Sequence, residues 1–177
     1  MVNSEPAPPP QSPSSGGGGT SPPTVTSSTA SSSGTVLVSE VMVGSEGASA
    51  NEFVELYNAG SNSADLTGWC VKKRTSTGSE STLVAASRLE GKTILPGRYL
   101  LLANDGGYLG NIAPDIQWPS SYTLAYTSNA VVLYRGCSEK ADEAAWAEIP
   151  AGQSIVRDSW GAATFSVQAT PTPQRGE

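Results

Sequence analysis

From Val36 onward the chain alternates short apolar runs with clusters of turn-forming residues. The runs VLVSEVMV, EFVELYN, GWCVKKR, STLVAAS, RYLLLAN, AVVLYRG, AAWAEI, QSIVRD and ATFSVQA are either period-2 or continuously apolar over a strand's length, which predicts β-strands. Between them lie NAGSNSAD, LEGKTILPG, NDGGYLGN and WPSSYT, rich in residues that supply φ > 0 or preset φ for turns. No stretch keeps a 3.6-residue apolar period over a helix of normal length. SEKADEAAWAE comes nearest, and Gly136 with the β-rich run before it predicts a hairpin there instead. Seven to nine short strands at this spacing predict an all-β, two-sheet β-sandwich, in which RYLLLA is the run expected to be most fully buried.

The first 35 residues carry no such pattern. Met1 to Thr35 is almost wholly Pro, Ser, Gly and Thr, with Glu5 as its sole charge, so it has nothing to bury and is expected to be a disordered low-complexity linker. Residues 36–177 are then one folded domain, large enough to bury roughly two-thirds of the surface of its unfolded chain. A spacer of this composition at the start suggests either a piece of a longer protein or an artificial start at Met1.

Charge narrows the partners. With Glu5 set aside, the domain has ten Lys and Arg against fifteen Asp and Glu, a net of −5, a field that repels a nucleic-acid backbone. The only basic run is Lys72–Arg74, with Arg88, Lys92 and Arg98 as possible neighbours, and three basic residues at a strand end are ordinarily solvated. No apolar run reaches the length of a membrane span, and no export signal opens the chain as given. Cys70 and Cys137 are too few for a disulfide scaffold and lack zinc-site spacing. They are either one bridge or two free thiols.

Two carboxylates in NEFVELY raise the question of chemistry. Strand geometry puts Glu52, Val54 and Leu56 on one face and Phe53, Glu55 and Tyr57 on the other, so Glu52 and Glu55 cannot flank one bond as a glycosidase pair must. Each could ligate a metal alone, or cap a neighbouring loop by accepting backbone N–H bonds. The sequence has no histidine, which removes the usual general base and the commonest zinc ligand. Nucleophile-elbow, P-loop and dinucleotide motifs are absent. Asn104–Asn111, NDGGYLGN, has the residue types of a calcium loop but not its carboxylate density, and is expected to be a turn-rich hairpin loop. No catalytic, cofactor-binding or metal residue is therefore assigned, and no cofactor. Trp118, Tyr122, Tyr126, Trp146 and Trp160 could stack on sugar rings if exposed, or fill the core if not.

Taken in order, VSEVMVG, NEFVELYNAGSNSADLTGW, LPGRYLLLAND, NAVVLYRGCSEKADEAAW, PAGQSIVRD and ATPTP resemble the lamin tail domain family in its bacterial form, over essentially Val36 to Pro173. The resemblance implies an immunoglobulin-like sandwich without catalytic residues, used for display and interaction. In bacteria such domains occur in exported or surface proteins. The chain departs from the lamin context in its low-complexity stalk and absent heptads, and it shortens the loop between Asp158 and Phe165. The residues themselves agree: Gly68 permits a sharp turn that sends Trp69 between the sheets beside Leu66 and Val71, and Pro96-Gly97 suits the centre of a type II turn leading into RYLLLA.

The expected function is a non-catalytic interaction, adhesion or targeting module, extracellular or at the cell surface. It would be a monomeric unit within a multidomain chain, binding a protein partner or surface polysaccharide. The alternatives are a carbohydrate-binding module and a metal-dependent or carboxylate hydrolase.

Overall fold

A computed structural model of the chain describes residues 35–174. The expectation for residues 1–35 lies, except for Thr35, outside them. β1 (Val36–Ser45) and β2 (Ala48–Asn58) form a long hairpin. After β3 (Ala64–Asp65) come β4 (Cys70–Arg74) and β5 (Glu80–Val84). A one-turn helix α1 (Ala86–Leu89) leads to β6 (Thr93–Ile94) and β7 (Tyr99–Asn104). The chain finishes with β8 (Ile116–Trp118), β9 (Thr127–Arg135), β10 (Glu139–Glu148), β11 (Ser154–Arg157) and β12 (Phe165–Gln168).

These build a six-stranded sheet in the order β12-β11-β1-β2-β7-β8, a four-stranded sheet β10-β9-β4-β5, and a small β3-β6 pair. One apolar cluster joins Val38, Val41, Val54, Leu56, Leu100 and Leu102 of the first sheet to Val71, Leu83, Val131, Leu133 and Trp146 of the second. Inward positions alternate along β2, β7, β9 and β10, as a sandwich requires.

Twelve strands stand among the described residues where seven to nine were expected. The surplus consists of β3, β6 and β8, two or three residues each, too short for a period to register. STLVAAS is also not all strand, because α1 begins at Ala86 in a stretch of good helix formers. Asn104–Asn111 is not a hairpin loop. β8 lies parallel to β7, with Leu102 opposite Ile116, so residues 105–115 must carry the chain back along β7, and they do so over the sheet's outer face.

β1 changes phase within itself. Val36 and Val38 face the core, and so do Val41 and Val43; the odd step between the pairs is absorbed by a register shift between Val38 and Glu40 opposite β2, where one extra residue bends the strand. An ion pair between buried Arg157 and half-buried Asp142 satisfies the backbone there. Val38 N–H donates to Asp142 Oδ2 at 2.7 Å, Arg157 Nε donates to the Val38 carbonyl at 2.8 Å, and Arg157 pairs with Asp142.

Candidate functional site

The six-stranded sheet has a second buried side. Beyond the core, Met42, Phe53, Leu101 and Ala103 cluster on its outer face beneath Tyr108 and Ile112. This explains why β7 is buried on both faces, as RYLLLA suggested. On that face the register sets Glu40 directly opposite Glu55, and both are buried. Ser154 Oγ–H (2.6 Å) and the Thr172 N–H (2.9 Å) donate to Glu40 Oε1, and Thr172 Oγ–H to Oε2 (3.2 Å). Ser39 Oγ–H and the Gln174 N–H, each at 2.5 Å, donate to the two oxygens of Glu55. All four carboxylate oxygens thus accept hydrogen bonds from the chain itself, two of them from the backbone of residues 172 and 174, which cross the sheet as a strap.

Glu52 points the other way, as strand geometry required, and is fully buried. It accepts from the Leu124 N–H at 2.6 Å and Asn104 Nδ2 at 2.9 Å, so of the roles open to it in sequence it holds a loop. Burial pushes Glu52 and Glu55 up from 4.5 to about 7, against their hydrogen bonds, which favour the charged form; Glu40 adds to the rise at Glu55. Desolvation outweighs the donors in both. Sequence reasoning compared Glu52 with Glu55 and missed Glu40. The available signal was the polar Ser39-Glu40 pair interrupting an apolar strand.

Two turns have the geometry their sequences called for. Trp69 N–H donates to the Leu66 carbonyl at 2.9 Å across Gly68, whose φ is +80°, and Arg98 N–H to the Leu95 carbonyl at 3.1 Å across Pro96 and Gly97, φ +68°. Both place a positive φ at the third turn position, the requirement of a type II turn. Trp69, Leu66 and Val71 lie in the core, and Arg135 covers the Trp69 ring at 5.1 Å.

Cys70 and Cys137 are joined by a disulfide, their Cα atoms 5.3 Å apart. β4 and β9 are neighbours, with Cys70 opposite Tyr134. Gly136 and Cys137 both have positive φ, as a tight β9-β10 hairpin needs.

The remaining candidates are dispersed. Lys72 pairs with Glu80 at 3.5 Å and lies over Tyr134, Lys73 donates to the Thr123 carbonyl, and Arg74 is bidentate to Glu143, so the basic run is consumed by contacts within the fold rather than freely solvated. Arg88 donates to the Gln117 carbonyl at 2.8 Å. Trp118 and Trp146 are buried and donate indole N–H bonds to the carbonyls of Tyr122 and Ala125; two of the five aromatics are therefore core, and Tyr126 packs against it. Tyr122 and Trp160 are exposed. Trp160 stacks on Tyr57 at 3.8 Å between ring centroids, placed there by the short loop after Asp158. In residues 104–111, Asn104 Oδ1 accepts the Gly106 N–H and Asn51 Oδ1 the Leu109 N–H. Among the described residues no three His, Cys, Asp or Glu side chains gather as a metal cluster, and no helix is long and apolar enough to cross a membrane.

Two packed sheets of this order, closed on one apolar core and with their buried acids spent on backbone amides, define an immunoglobulin-like β-sandwich whose built features are structural. A model of the Lamin Tail Domain family matches residues 29–155, well over half of the chain, and the chain belongs to that family. The family is a non-catalytic, immunoglobulin-like domain of interaction type. No curated protein matches the chain. The family match ends at Ile155, short of the resemblance read to Pro173. Arg157, β12 and the strap lie beyond it.

Proposed function

We propose that the domain is the interaction module of an exported or cell-surface protein, with a protein or surface polysaccharide as its partner. The observation that carries this reading is the engagement of Glu40 and Glu55: every oxygen of these two carboxylates, opposite each other across β1 and β2, already accepts a bond from the chain, which gives both acids a structural role. The Cys70–Cys137 bridge supports an oxidising compartment, because cytosolic thiols are kept reduced.

The test is to present the chain to a panel of extracellular proteins and surface polysaccharides, measuring saturable binding and product release on the same samples. Binding without turnover is expected. Release of cleaved product that is lost in Glu55→Gln would overturn the reading in favour of a hydrolase.

A further inference from the structure

The strap over the six-stranded sheet has an unusual chemical pattern. Residues 170–174 read Thr-Pro-Thr-Pro-Gln. Proline has no N–H, so from Pro171 to Gln174 only Thr172 and Gln174 bring backbone donors, and in an extended chain alternate residues point the same way. Both donors reach the buried pair, Thr172 to Glu40 and Gln174 to Glu55. Pro171 and Pro173 are half-buried and wall one side of a cavity of about 570 Å³ whose floor is Met42 and Phe53 and whose far wall is Tyr108, Leu109 and Ile112. Leu109 is largely exposed at its rim, and the Tyr108 hydroxyl is buried without a hydrogen-bond partner.

This is the layout of a groove that recognises an extended proline-bearing peptide, with cross-strand acceptors that meet donors two residues apart and an apolar channel for the prolines between them. We propose that the outer face of the six-stranded sheet is a receptor groove for extended segments in which proline alternates with Thr or Gln, occupied in cis by residues 170–174 and open to the same pattern supplied in trans. The inference rests on the reading of the domain as an interaction module and names its surface. The Gln168 side chain, which donates to the Thr170 carbonyl and to Thr172 Oγ, turns the strap back from β12 into this groove. The cis segment is tethered only a few residues beyond β12, so its effective concentration is on the order of millimolar. An outside segment binds well only when the cis segment is weakened.

Substituting Thr172→Pro and Gln174→Pro together in the full chain removes both donors and leaves the acceptors in place. A labelled peptide of sequence Ala-Thr-Pro-Thr-Pro-Gln, blocked at both ends, should then bind at least about tenfold more tightly than it binds the unaltered chain, by the loss of the tethered competitor. A peptide with proline at its fourth and sixth positions should not bind. Equal binding of the two peptides, or no gain in the variant, overturns the groove. A second measurement needs no variant. In the unaltered chain the Thr172 and Gln174 amides should exchange hydrogen faster than those of Val54 and Leu102, because the strap opens without global unfolding; exchange at the same rate as those core amides also overturns the proposal. Failure here together with saturable binding elsewhere in the panel leaves the interaction-module reading standing, so the two are separable.

Discussion

Lowering the pH from 8 to 5 should stabilise this protein, the reverse of ordinary acid lability. Glu52 and Glu55 are raised from 4.5 to about 7 in the fold, chiefly by burial. A group whose folded value exceeds its unfolded value binds protons more tightly when folded. Its contribution to stability is therefore complete below pH 4.5 and is lost as the pH rises through 7. Between about pH 8 and about pH 5 each group contributes about 2.5 kcal/mol, or about 5 kcal/mol for both, at 1.36 kcal/mol per unit. Below that window the sign reverses. Glu143 is held low by Arg74, and Asp65 and Asp158 by hydrogen bonds from Thr67 and Ser166, so their stabilisation disappears as the pH falls through their folded values. Urea unfolding at a series of pH values, with the disulfide intact, measures the curve. Glu52→Gln removes one titrating group and should remove about half of the difference between pH 5 and pH 8. A stability that is flat or rises from pH 5 to pH 8 would show that the amide and hydroxyl donors outweigh burial, and would refute the argument.

Trp69→Ala, at a site 3% exposed, should cost about 3–5 kcal/mol in urea unfolding through the cavity it leaves; a change under about 1 kcal/mol would place the ring outside the core. Reducing the Cys70–Cys137 bridge, which spans 67 positions of sequence, should lower stability by about 4 kcal/mol in the chain-entropy account, read as a drop in Tm on adding reductant, and the unreduced, denatured protein should show no reactive thiol. Arg157→Ala leaves the half-buried Asp142 carboxylate and the Val38 carbonyl without their cation, and calorimetry should record a loss of about 3 kcal/mol; a loss confined to a few tenths would mean that water takes the place of the guanidinium.

Local chemistry was legible in the sequence wherever it determines local geometry. Alternation assigned the main strands because side chains on a pleated strand must change face at every residue. The same rule sent Glu52 and Glu55 to opposite faces before any partner was known. Gly68 and Pro96-Gly97 marked their turns because few residues tolerate the dihedrals those turns need. The two-residue strands β3 and β6 escaped notice because nothing in so short a run repeats. Pairing across the sheets was decided only by the tertiary structure. The extra residue near Ser39 turns Glu40 to the outer face opposite Glu55, the parallel return to β8 draws residues 105–115 over that face, and the strap closes upon both acids from more than a hundred residues away. Proline alternation in Thr170–Gln174 is plain in the sequence, but what the N–H groups of Thr172 and Gln174 would meet is not. A hydrogen bond depends on where two distant segments come to lie, and that position is set by the burial of every strand between them.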